Sequence, residues 1–296
     1  MTIQQCVYVL KIAECGSFNE AAKQLFVAQS SLSVSIKTLE QELNIKIFER
    51  AGNGIYLTNE GAEFKRYAQQ MVEQSEFIIN RYSDNNILTR LYVSTQHYDF
   101  VADIFTKLIN EAKDNHYRFS LREMKTYEVI HSVETAYCDV GVIAIKDTDF
   151  TVMDRYLSQR GITFNKVLEV KPHVFVRKNH PVAGEKLITV EKLKDYPYVS
   201  YEQGEHNNSF FTEELADILS DKQIEISDRA SLMNCLLGTD SYTIGTGIMP
   251  SLLNKGRIVS IPFESDNRYL IGYILREDKN VSELTEKFID LLKKTN

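Results

Sequence analysis

The sequence predicts a multidomain chain: a small winged helix-turn-helix module, all-α apart from its β-wing, followed by an α/β domain of two subdomains. Three observations carry that expectation. Between Ser17 and Gly61, two short helical patterns and two short strand patterns follow in the order helix, turn, helix, wing. From Thr58 to about Asn86 there is no proline, and one amphipathic repeat persists. Beyond Asn86, short apolar runs alternate with helical ones, the rhythm of an α/β fold.

Ser17 stands three residues before Glu20, a capping box that starts a helix through Ala21, Ala22 and Leu25. Phe26 and Val27 interrupt it. Gln29 opens a second helix whose apolar positions Leu32, Ile36, Leu39 and Leu43 recur every three or four residues, so one side is buried. The other side carries Gln29, Ser30, Ser31, Ser33, Val34, Ser35 and Lys37. Serines are weak helix formers, but hydroxyls and free amides at a helix N-terminus hold phosphates and base edges, and small side chains allow close approach. Ile47 to Arg50 and Ile55 to Leu57 read as two strands joined by the turn Ala51 to Gly54, with Arg50 at the root of the wing. Helix pairs of this kind also serve simply as core packing. Residues 1 to 57 balance Lys11, Lys23, Lys37, Lys46 and Arg50 against Glu14, Glu20, Glu40, Glu42 and Glu49, so the module is neutral. A neutral module releases few counterions, which predicts modest affinity, a shallow salt slope and reliance on several modules binding together.

In the next segment Phe64, Ala68, Met71, Ser75, Ile78 and Tyr82 recur at spacings of four and three, a seam of the kind two helices share. A helix packed on its own domain is the alternative. The flanks Glu63, Lys65, Arg66, Gln69, Gln70, Glu73, Gln74 and Glu76 favour pairing between chains through Phe64, Ala68, Met71, Ile78 and Tyr82.

The α/β part reads as strand Leu91–Thr95, helix Tyr98–Ala112, strand Phe119–Arg122, helix Tyr127–Ala136 and the apolar strand Asp139–Ile145. Strands Phe164–Val170 and His173–Arg177, a short helix Val190–Leu193, strand Tyr198–Tyr201, helix Ser209–Leu219, strand Gln223–Ile226, helix Ala230–Leu237 and strand Tyr242–Ile244 follow. Strand Tyr269–Arg276 and helix Ser282–Lys293 close the chain. The alternation implies parallel sheets with right-handed crossovers. Domains are expected at 1–58, 59–87 and 88–296, the last divided into about 88–163 with 268–296, and 164–267. Ligands of such folds sit in the cleft outside the carboxyl ends of the strands. Ser94, Thr95, Gln96 and His97 follow the first strand and open a helix, where hydroxyls, an amide and helix N-terminal N–H groups converge on a place for a carboxylate or phosphate. Ser200 and Tyr201 would face them, with Ala144, Lys146 and Thr246 at the remaining strand ends. A Ser or Thr at a helix start is also an ordinary cap. His97 also reads as a surface imidazole, whose titration would make binding pH-sensitive.

A net charge of −7, 43% apolar and 25% charged residues are ordinary for a globular chain. No run of 18 apolar residues and no leading basic-then-apolar stretch occurs, so neither a membrane partner nor export is expected, and cytoplasmic placement is. Cys6, Cys15, Cys138 and Cys235 are scattered and read as buried thiols rather than a disulfide framework or zinc site. His97, His116, His131, His173, His180 and His206 form no HExxH, and no GxSxG elbow exists, so catalytic residues, metal and cofactor are all expected to be none. Gly245 and Gly247 precede Pro250 as a tight turn into a helix start, and Lys178–Pro181 reads as an exposed turn.

Ala21, Ala22, Leu25, Gln29, Ser30 to Ser33, Leu39, Glu40, Leu43, Phe48, Arg50, Leu57, Thr58 and Gly61 stand in the order and spacing of the N-terminal domain of LysR-type transcriptional regulators, which the whole chain resembles in length. The resemblance implies an effector-responsive transcription factor. Its partners would be promoter double-stranded DNA, a small-molecule effector, a second copy forming a homodimer, a homotetramer of dimers, and RNA polymerase. It implies DNA contacts from Gln29, Ser30, Ser31, Ser33, Val34, Lys37, Arg50 and Asn53, a linker helix that makes the dimer, and a periplasmic-binding-protein-like effector domain. The chain departs from the pattern where many members carry a proline after the glutamine, an arginine at the Val34 position and a second wing arginine at the Asn53 position. The string Ser94 to Phe100, with Arg229 to Leu232, resembles a Gram-positive subgroup that includes regulators of methionine and related sulfur amino acid genes and of capsule functions. The rival is a solute-binding or catalytic α/β protein with an unrelated helical appendage.

Overall fold

The structure is a computed structural model and describes residues 1–51, 54–82, 89–112, 116–203, 211–216, 220–249, 256–278 and 280–295. The chain divides into two compact units, Met1–Ile87 and Leu88–Asn296.

The first unit opens with a helix that the sequence reading does not anticipate, α1 (Ile3–Cys15). Thr2 and Gln5 cap it reciprocally, and Gly16 ends it with φ 61°, a left-handed conformation that costs glycine little. Then come α2 (Phe18–Gln24), capped by Ser17, and α3 (Gln29–Leu43). Val9, Ile12, Ala21, Ala22, Leu32, Ile36, Leu39 and Ile47 form their shared core. Between α2 and α3, Phe26 is 95% exposed and held at φ 55°. The wing is β1 (Phe48–Ala51) paired with β2 (Gly54–Leu57). Buried Glu40 fixes its departure from α3: Oε1 accepts the N–H groups of Ile47 (2.8 Å) and Phe48 (3.2 Å), and Oε2 pairs with Lys46 at 3.1 Å. Phe48 opposite Leu57 is the root of the wing, whereas Arg50 lies opposite Ile55, one pair from the turn, so the expectation for Arg50 is corrected.

The long helix α4 spans Asn59–Tyr82. Gly61 sits where any Cβ would come within 2.1 Å of the Ile47 carbonyl oxygen, so α4 starts tight against the wing's entry. α1 packs along α4. The seam therefore divides. Phe64 packs against the unit's own core and Ala68 is buried, which corrects their assignment to pairing between chains, while Met71 and Ile78 are exposed together with Tyr67 and Ile79.

In the second unit a five-stranded sheet has the order β4-β3-β5-β12-β6: β3 (Thr89–Thr95), β4 (Tyr117–Glu123), β5 (Val140–Lys146), β6 (Ile162–Val170) and β12 (Tyr269–Arg276). β3 runs parallel to β4 and β5, but β12 is antiparallel to β5 and β6, so the expected all-parallel sheet is corrected. One face packs on α5 (Asp99–Glu111) and α9 (Glu283–Lys293). The other packs on α6 (Thr126–Glu134) and α7 (Phe150–Ser158), the latter absent from the sequence reading. The chain leaves this layer after Val170 and returns at Tyr269. Since β6 pairs with β12, the first subdomain extends to residue 170 rather than 163.

The second subdomain pairs β7 (His173–Arg177) antiparallel with β10 (Thr243–Gly245) and β11 (Ile258–Pro262), again against the parallel expectation. A parallel pair, β8 (Tyr198–Tyr201) with β9 (Gln223–Ile226), lies beside it, with α8 (Arg229–Gly238) packed on Phe175, Val199 and Ile258. The helix expected at 209–219 is not formed over its described residues 211–216, which are turn and irregular chain. Lys178–Pro181 is a turn, yet His180 within it is buried, its Nε2 3.1 Å from the Asp240 carbonyl oxygen. Pro250 lies outside the described residues.

Candidate functional site

The outer face of α3 is open. Gln29, Ser30, Ser31, Val34 and Lys37 are exposed and Ser33 is half-buried, with Gln29 Nε2 donating to Ser33 Oγ at 2.8 Å. The residue before the helix is Ala28, which has no side chain able to cap, so the leading N–H groups of α3 keep their capacity for an outside acceptor. Asn53 and the side chain of Arg50 lie outside the described residues, as does the side chain of Tyr82.

The second unit carries a narrow cavity, about 60 Å³ open to water-sized occupants, between its subdomains. His97, Tyr98 and Asp99 of the first subdomain line it, opposite Phe175, Tyr201, Glu213, Glu214, Leu232, Thr243 and Thr246 of the second. Of the residues expected at the ligand, His97, Tyr201 and Thr246 are brought together here; Ser94, Thr95, Gln96, Ala144, Lys146 and Ser200 do not line the cavity. For Ser94, Thr95, Gln96 and Ala144 the reason is burial within the first subdomain. Ser94 and Thr95 are covered, and their hydroxyls have no hydrogen-bond partner. Gln96 is spent on the fold: Oε1 accepts the Ala144 N–H (2.7 Å) and the Tyr98 hydroxyl (2.6 Å), while Nε2 donates to Thr126 Oγ1.

His97 is no surface imidazole. Its ring stacks on Tyr201 with centroids 4.1 Å apart, and Nδ1 lies 2.9 Å from Glu213 Oε1. Burial pulls its pKa down, but the hydrogen bond and charge of Glu213, with the charge of Glu123, outweigh burial and leave it raised. Glu214 is pushed up to about 7, chiefly by burial; it accepts the Tyr198 hydroxyl and the Tyr201 N–H. Arg229, the first residue of α8, crosses the cleft to Asp99 (Nη1–Oδ1 2.6 Å) and to Glu123 (Nη2–Oε1 2.9 Å). Lys125 pairs with Glu202 at 2.8 Å. With His97–Glu213, these ion pairs tie one subdomain to the other. The sequence reading singles out none of Glu213, Asp99 or Glu123 for the cleft. Local pattern holds no sign of partners 116, 130 and 106 residues apart. Among the described residues no group of His, Cys, Asp and Glu is placed to hold a metal, and all four cysteines are free, Cys6 and Cys138 buried and Cys15 and Cys235 half-buried.

Residues 3–62 match the family model described as bacterial regulatory helix-turn-helix protein, lysR family, and residues 98–296 match the LysR substrate binding domain. The chain is 24% identical to the uncharacterized HTH-type transcriptional regulator YbhD of Escherichia coli, covering 95% of this chain and 87% of that protein. It is 28% identical to the transcriptional dual regulator GltC of Bacillus subtilis over 69% of this chain and 66% of that one. Among solved structures, CbnR complexed with its target DNA shares the fold along the full length of both chains, with a TM-score of 0.65 at 15% identity. These relatives do not narrow the chain to one subgroup.

Proposed function

The chain belongs to the LysR family of bacterial transcriptional regulators, and from that premise we propose that α3 reads promoter DNA while a small molecule in the cleft of the second unit sets the response. The N-terminal unit is therefore no unrelated appendage. The observation that supports this reading best is the open, uncapped and hydroxyl-rich face of α3. Gln29, Ser30, Ser31, Ser33, Val34 and Lys37 meet base edges and phosphates, and the wing, with Arg50 and Asn53, meets the backbone beside them. CbnR is seen on its target DNA with the same fold, in keeping with that docking.

A neutral module holds DNA weakly alone, so two are yoked, the exposed second half of α4 (Met71, Ile78) meeting a second copy. Homodimers joining into a homotetramer fit this need, with RNA polymerase as the partner met at the promoter. The protein acts beside the chromosome, in the cytoplasm, and a regulatory rather than catalytic task fits a cleft whose described residues hold no nucleophile–base pair. The methionine and sulfur amino acid subgroup remains a further reading, resting on Ser94–Phe100 and Arg229–Leu232 alone.

Ser33→Glu tests the DNA assignment. A carboxylate there faces phosphates, and retention of duplexes selected by the wild-type protein from a random pool is expected to fall at least about tenfold. Unchanged retention would reject α3 as the reading element.

A further inference from the structure

The cleft already holds a carboxylate, and it belongs to the chain. Glu213 comes from the second subdomain, yet its oxygens lie 2.9 and 3.1 Å from His97 Nδ1, and Oε2 accepts the His97 N–H at 3.3 Å. Both side chains are almost wholly withdrawn from water, 7% and 4% exposed. The stacked Tyr201 ring fixes the imidazole, and the N-terminus of α5 begins two residues on. An imidazolium, a backbone N–H and the positive end of a helix together recognise a free carboxylate. The raised pKa of His97 keeps the imidazole charged further up the pH scale than an ordinary histidine. Beside the pair, Phe175, Leu232 and Ile244 offer apolar contact, and Thr243 and Thr246 lie among them.

We infer that Glu213 is an internal ligand, and that a small monocarboxylate with a short apolar tail acts on this protein by displacing Glu213 from His97. The inference rests on the reading of the cleft as the effector site. Displacement would reach further than one bond, because the Glu213 N–H is held by Gln203 Oε1 at 3.1 Å and the adjoining Glu214 holds both Tyr198 and the Tyr201 amide. Removing Glu213 from its seat therefore loosens its bonds to Gln203 and, through Glu214, to Tyr198 and Tyr201. An intramolecular competitor acts at high effective concentration, so the response begins only when the metabolite is abundant.

Full-length wild type, Glu213→Ala and Glu213→Gln, each titrated with propionate by calorimetry at pH 7, test this. Propionate carries the carboxylate and the short apolar tail that the alanine variant leaves room for. Affinity is expected to rank Glu213→Ala above Glu213→Gln above wild type, the first exceeding the last by at least about tenfold, and adding His97→Ala should abolish the gain. Equal affinities in all three proteins would overturn the inference. Should the alanine variant not fold, the comparison of Glu213→Gln with wild type decides, a gain supporting and parity refuting. Retention of selected duplexes by the wild type is measured alongside. Failure of the wild type to enrich any duplex from the random pool strikes at the regulatory reading, whereas enrichment with flat propionate affinities strikes at the internal ligand alone.

Discussion

Gln96 shows how a polar residue at a strand end can be consumed by the fold. Its side chain bonds Tyr98, Thr126 and Ala144, and all four residues are buried. Gln96→Ala strands an N–H and a hydroxyl in a dry site, at a cost of about 2 to 4 kcal/mol. The unfolding midpoint of the second unit is expected to drop by roughly 5 to 10 °C in scanning calorimetry; an unmoved midpoint would show those bonds to be idle. That Gln96 follows a strand was legible in the sequence, but that its partners lie 30 and 48 residues away was not. The cleft's titrating groups set a second expectation. Glu214 is raised from 4.5 to about 7, and His97 is raised above 6.5. A raised folded pKa means the native state binds more protons than the unfolded chain, so the stabilisation is complete below the unfolded value and is lost as pH climbs through the folded one. Glu214 loses its share between about pH 4.5 and 7, His97 its share above 6.5. The melting temperature of the second unit should fall by several degrees from pH 6 to pH 8, and Glu214→Gln should flatten that fall; a rise with pH would contradict both assignments.

At the scale of elements, the repeat in α4 was readable but its division was not. Whether a stripe faces its own domain or another chain depends on what covers it, and α1 covers the first half. The signal for α1 was present in Thr2, Gln5 and Gly16, two caps framing Cys6, Val9 and Ile12. Ile78→Glu is expected to shift the protein toward monomers in analytical ultracentrifugation while leaving its circular dichroism unchanged, and an unaltered sedimentation profile would move the pairing surface elsewhere. Strand direction was likewise hidden. Alternating strands and helices favour parallel neighbours, but β12 follows β11 with no helix between them and enters its sheet reversed. The wing, by contrast, lies where Gly54 and the two flanking apolar runs put it. The open face of α3 was legible too, because its buried positions Leu32, Ile36 and Leu39 fix the opposite side.

For the molecule as a whole, the two-unit plan follows from a change in period that any stretch of sequence shows, whereas the closed cleft depends on His97–Glu213, Arg229–Asp99 with Glu123, and Lys125–Glu202, pairs that only the folded chain brings together. The point where the chain leaves the five-stranded layer and the point where it comes back are neighbours, since Val170 faces Tyr269 across β6 and β12. Residues 171–268 are in that sense a single excursion with a pinched neck, hung on a platform that keeps both of its own ends. A foreign excursion of equal span could be spliced in at that neck without rewiring the platform. Chemical taste could then be inherited separately from genomic address, and a descendant could learn a new metabolite while still reporting to its old genes.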